Sequence, residues 1–117
     1  MRMIDQLLAL GVLLIGIIHV WAGLGVFARP SEDGTWFLAA GLLGITAGFA
    51  NMARAYDREP HVFGVIAAVA GSASVLLIGL LLALTDPSML RSPASATVLA
   101  LGAGSLFFGA RDLMQKR

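Results

Sequence analysis

The chain has no cysteine. That excludes disulfides, thiolate metal sites and a cysteine nucleophile, and it leaves the redox compartment open. Charge is scarce as well: 13% of the 117 residues are charged, against about 25% in a soluble domain. So few charges cannot build a water-facing surface, and lipid must cover much of the chain. The net charge is +1 and the eight basic residues lie between apolar runs instead of forming a patch. Nucleic acid is therefore not an expected partner. No phosphate loop, nucleophile elbow, zinc-protease motif or pair of carboxylates within an apolar run is present. Catalytic residues, cofactors and bound metal are accordingly not expected, and a membrane enzyme with His19 as acid or base ranks third, behind two non-catalytic readings.

What the chain does have is apolar length. Hydrophobic residues make up 58% of it, and the mean hydropathy is +0.87. Four runs, at about residues 7–27, 35–53, 62–85 and 94–110, approach or exceed the roughly 20 residues needed to cross hydrocarbon. The first is longer than a signal-peptide core and passes through His19 and Trp21, so it is read as a span and not a cleaved leader. Each connection has turn or cap chemistry. Residues 28–34 (ARPSEDG) include Pro30 and two candidate caps, Ser31 and Asp33. In residues 54–61 (RAYDREPH), Pro60 biases Glu59 away from helix. Residues 86–93 (DPSMLRSP) hold two prolines, after which Ser95 or Thr97 can begin the last helix. Trp36 and Tyr56 stand where interfacial anchors belong.

The expected fold is therefore all-α. It is a single integral membrane domain over residues 1–117, a four-transmembrane-helix bundle. Arg2, Arg54, Arg58, Arg111, Lys116 and Arg117 flank one set of span ends, and Arg29 and Arg91 the other. This asymmetry predicts both termini in the cytoplasm. The expected location is a multi-pass position in a bacterial inner membrane. Arg111, Asp112, Gln115, Lys116 and Arg117 are expected in water.

An internal repeat runs through the spans. Gly41, Gly44, Gly48 and Asn51 return as Gly102, Ser105, Gly109 and Asp112, each 61 positions later. LLIG occurs at residues 13–16 and again at 76–79. The chain thus reads as two similar helical hairpins of the same orientation. Spacings of three and four place Gly41, Gly44, Gly48 and Asn51 on one helical stripe. Small residues in such stripes let helices approach closely. The glycine positions and Ser105 are thus candidate packing contacts, within the chain or between copies.

The repeat isolates His19, which falls opposite Leu82. Gly16 and Gly23 flank it on its own helical face, leaving room for a helix or ligand near the ring. His19, Gly16 and Gly23 are candidate ligand contacts. The alternative is an imidazole bonded to Ser72, Ser74 or a backbone carbonyl. A haem between His19 and His61 is not expected, because the two lie at different depths. Asn51 and Arg54, with Arg111 and Asp112, are candidates for an anion or headgroup pocket; interfacial snorkelling is the simpler account. The size and four-span plan are similar to those of the small multidrug resistance transporters. That family looks to a glutamate within its first helix, and residues 7–27 hold no acid, so the chain is not assigned to it.

Two functions follow as expectations. The first is a non-catalytic accessory or packing subunit, an oligomer of itself or part of a larger membrane complex. The second is binding or transport of a hydrophobic small molecule or lipid, quinone-like for example, with His19 as its polar contact. The lipid bilayer is the one partner common to both.

Overall fold

A computed structural model describes residues 2–26 and 31–115. Arg29 and Pro30 of the first connection, and Lys116 and Arg117 at the C-terminal end, lie outside the described residues. Four helices follow in order: α1 (Arg2–Val26), α2 (Glu32–Tyr56), α3 (Val62–Thr85) and α4 (Pro93–Gln115). A 3₁₀ turn, Pro87–Arg91, precedes α4. Each helix packs on the next, and α4 returns to α1 over a shorter stretch, closing a four-helix bundle of two hairpins. All four helices are long and apolar enough to cross a membrane. The bundle measures 45 × 25 × 21 Å, and its long dimension matches the roughly 40–45 Å of a bilayer with its headgroup layers. Phe49, Phe63, Leu77, Leu84 and Phe107 all point outward, as lipid-facing side chains do. This is a small membrane protein by its architecture.

Local chemistry explains where the helices begin and end. The Ser31 hydroxyl accepts the Gly34 N–H at 3.1 Å and caps α2. The last helix starts earlier than either Ser95 or Thr97. Pro93 occupies its first turn, where a missing N–H costs nothing and the fixed φ already suits a helix. The Thr97 hydroxyl instead donates to the Pro93 carbonyl at 2.7 Å. At the far end of α2, Arg2 donates to the carbonyls of Tyr56 and Asp57, and Gln6 to that of Ala55. The first turns of α1 thereby satisfy carbonyls that the end of α2 leaves open. After α3, Asp86 accepts from the hydroxyl and backbone N–H of Ser88. These bonds, the hydroxyl's first, hold its carboxyl below the usual carboxylate range.

The interior is built from small residues. Ala9, Ala47, Ala55 and Ala68 are buried beside Val12 and Val65. On the α1–α2 seam the two backbones touch. A Cβ on Gly16 would lie 2.5 Å from the Ile45 nitrogen, and one on Gly48 would lie 2.5 Å from the Leu13 Cα. Gly44 sits against the Cα of Gly16, and Gly41 against Val20. About two turns of α2 are therefore pressed directly onto α1, an approach only glycine allows.

Candidate functional site

Two places in the bundle gather polar chemistry. The first lies at the end where α1 starts and α2 and α4 finish. Arg54 projects inward there, its side chain wholly buried. It donates from Nη1 to Asp5 Oδ2 at 2.9 Å, and from Nη2 to Asp5 Oδ1. Nη1 also reaches Asp112 Oδ2 at 2.5 Å. The second oxygen of Asp112 accepts from Arg111, whose Nη2 lies at 2.8 Å. Two guanidiniums and two carboxylates thus balance. The fork geometry of Arg54 matches one carboxylate on α1 while holding a second on α4.

This cluster corrects one expectation. Asp112 does not end the chain in water: its side chain is only 16% exposed, because Arg54 draws it inward. Both terminal nitrogens of Arg54 are occupied by carboxylates. The neighbouring cavity of about 510 Å³ is lined by Arg2, Arg58 and Arg111, but also by Asp5, Asp57, Glu59 and Asp112. Among the described residues the lining carries as many acidic as basic side chains.

Sequence reasoning missed Asp5, which sits in the first turn of α1 and is 3% exposed. A usable signal existed. Antiparallel neighbours place the start of α1 level with the ends of α2 and α4. Asp5, Arg54 and Asp112 therefore share one depth, where buried opposite charges must pair.

One turn deeper, Asn51 donates to Ser72 Oγ at 2.8 Å and to the Ala47 carbonyl at 2.9 Å. The Ser74 hydroxyl donates to the Ala70 carbonyl. Neither serine is thus bonded to His19.

The second place is a cleft of about 840 Å³ toward the opposite end, where Asp33 and Ala94 lie. All four helices line it. Val12, Leu101 and Val75 form part of its deep wall, with Gly41, Gly44, Gly79 and Ala83 along its sides. Asp33 and Ser95 stand near the starts of α2 and α4, and among the described residues Asp33 is the one formally charged residue on the lining.

His19 projects into this cleft from α1. Its ring stacks on Phe37 of α2, with centroids 3.8 Å apart and planes 13° from parallel. The two glycines beside it explain the placement. Gly16 holds α1 against the backbone of Gly44 and Ile45, and a Cβ on Gly23 would meet Phe37 and Leu38 within 3 Å. The ring is therefore braced on one face. Among the described residues neither ring nitrogen has a hydrogen-bond partner. The structure so brings together His19, Gly16, Gly41 and Gly44 at the cleft. Gly23 supports it from behind, and Asn51 and Arg54 belong to the separate polar end. Gly102, Ser105 and Gly109 face the α3–α4 side of the interior.

Among the described residues no group of three or more histidine, aspartate or glutamate side chains is placed to hold a metal ion. In searches of protein-family models, curated proteins and solved structures, nothing matches the chain.

Proposed function

We propose that the protein binds a hydrophobic small molecule or lipid of its membrane in the four-helix cleft, with His19 as the polar contact. The observation that carries this reading is an apolar cleft of about 840 Å³ with an imidazole on its wall that is braced by Phe37 and has no hydrogen-bond partner among the described residues. Ligand sites have this composition: mostly apolar lining, a few placed polar groups, and volumes of about 300–1,000 Å³. The neutral imidazole offers one donor and one acceptor, enough to orient a carbonyl, hydroxyl or amide on an otherwise apolar molecule.

The packing-subunit reading rested on the glycine stripes. Gly41, Gly44 and Gly48 are occupied by α1 within the same chain, and Gly109 lies against Val69 of α3. They no longer call for an outside partner. We place the Arg54 end of the bundle in the cytoplasm, since Arg2, Arg54, Arg58 and Arg111 gather there while Arg91 lies at the opposite end.

The test is extraction of the purified protein in mild detergent, with mass spectrometry of what accompanies it. The wild type should retain an apolar molecule enriched over bulk lipid, and His19→Ala should lose it. Ala40→Phe, which fills the cleft, should lose it too. Recovery of bulk lipid alone from the wild type, or equal retention by both variants, would overturn the reading.

A further inference from the structure

Asn51, Ser72 and Ser105 are each at most 1% exposed, and they sit at one level of the bundle on three helices. Asn51 and Ser72 are bonded directly. The register of α4 on α3 places Ser105 beside them. Gly102 lies opposite Val75 and Leu76, and Gly109 opposite Val69, so Ser105 between them falls opposite Ser72. Arg54 follows Asn51 by three residues on the same face of α2.

Among the described residues, three buried atoms in this group have no hydrogen-bond partner: Asn51 Oδ1, Ser105 Oγ and Arg54 Nε. In sequence they offer an acceptor, a group of either kind and a donor. Buried polar atoms in native proteins are almost always satisfied, and hydrocarbon offers them nothing. The residues one turn away are Ala47 and Ala55 on α2, Ala68 on α3 and Gly109 on α4, all buried. These neighbours are small, and the large buried side chain near them on α4 is Phe108, three residues after Ser105. The cavity at the polar end has Arg54 and Ala55 on its wall, so it borders the group.

We propose that this level is a built hydration site, in which water accepts from Arg54 Nε–H and donates to Asn51 Oδ1, with the Ser105 hydroxyl as third partner. Asn51 and Arg54 stand about one helical turn apart on α2, a Cα rise of about 4.5 Å, so both side chains face the same part of the interior. The donor and acceptor balance selects the ligand. A cation is repelled by the Arg54 guanidinium, and an anion by Asn51 Oδ1 and the carboxylates of Asp5 and Asp112. Water, with two donors and two acceptors, suits all three atoms. The site is independent of the cleft and of what the cleft binds. It gives the polar interior a wet connection from the Arg54 end to the middle of the bundle.

The test is water-edited solid-state NMR on the full chain in lipid bilayers. Water magnetisation should reach the Asn51 side-chain amide and Ser105 early, as it does exposed Arg58. Ser74, whose hydroxyl is tied to the Ala70 carbonyl, should stay dark at that mixing time. Ser105→Ala should weaken the early signal at Asn51. No early signal at Asn51 and Ser105, in a sample where Arg58 shows one, overturns the proposal without any variant. A signal at Asn51 that Ser105→Ala leaves unchanged overturns it as well.

Discussion

The two hairpins carry the same stripe of small residues and use it differently. In the first, α2 lays its glycines on the backbone of α1. A Cβ on Gly48 would meet the Leu13 nitrogen at 2.6 Å and its Cα at 2.5 Å. In the second, the counterpart of Gly41 is Gly102, whose Cβ would meet Val75 and Leu76 no closer than 3.6 Å. Gly79, the counterpart of Gly16, faces the end of the Leu99 side chain instead of a backbone. One hairpin is locked and the other is side-chain packed. A repeat in sequence therefore fixes which face turns inward, and the partner decides how close the contact becomes. The unpaired addition, His19, sits in the locked hairpin, where glycine contacts hold its ring against Phe37.

The hairpins are joined at the Arg54 end, and that junction should be the most sensitive point. Arg54→Ala leaves the Asp5 carboxylate buried without its cation. A broken buried pair costs about 3–5 kcal/mol, so the variant should lose most of its stability in a denaturant titration in mixed micelles. Arg111→Ala removes a partly exposed guanidinium from the same cluster and should cost under about 1 kcal/mol. Equal effects at the two arginines would mean that Arg54 is not the link between the hairpins.

Next in size is the lock itself. Gly48→Ala forces a Cβ into the backbone of Leu13. Overpacking of this kind costs about 1–3 kcal/mol, read as a shift in the same titration and as loss of the His19–Phe37 contact in ring-proton NMR. Smaller again is the difference in how the second helix of each hairpin starts. Ser31→Ala removes the cap of α2 and should cost about 1 kcal/mol. Ser95→Ala should leave stability unchanged, because α4 starts from Pro93 and needs no side-chain cap there.

These contrasts also show what could be read from the chain before its structure. The spans and the inward stripe were legible because hydropathy and helical spacing are local properties. Ser31 was legible as a cap for the same reason. The burial of Asp5 was not local: it depends on Arg54, 49 positions away, and on the shared depth of three helix ends. Asn51 was legible as the end of a stripe, but its partner Ser72 belongs to another helix. The cleft was hidden because its walls come from four helices that are distant in sequence. His19 stood out in sequence, yet Phe37, which braces it, gave no sign among so many apolar neighbours.

The smallest expected effect is the one that most sharpens the contrast between hairpins. Glycine inside a helix is less favourable than alanine by about 1 kcal/mol, so a glycine with room beside it is improved by a methyl group. Gly102 has that room, its nearest neighbours standing at ordinary van der Waals distance. Gly102→Ala should therefore be neutral or stabilising by up to about 1 kcal/mol. At the matching position in the first hairpin, a Cβ on Gly41 would meet Val20 Cγ2 at 2.7 Å and the Val20 nitrogen at 3.0 Å. Gly41→Ala should be destabilising, since a backbone atom cannot turn aside as a side-chain tip can. The same substitution at two aligned positions thus carries opposite signs. If both variants shift the unfolding midpoint in one direction, the two hairpins are packed alike and the stripe has one meaning, not two.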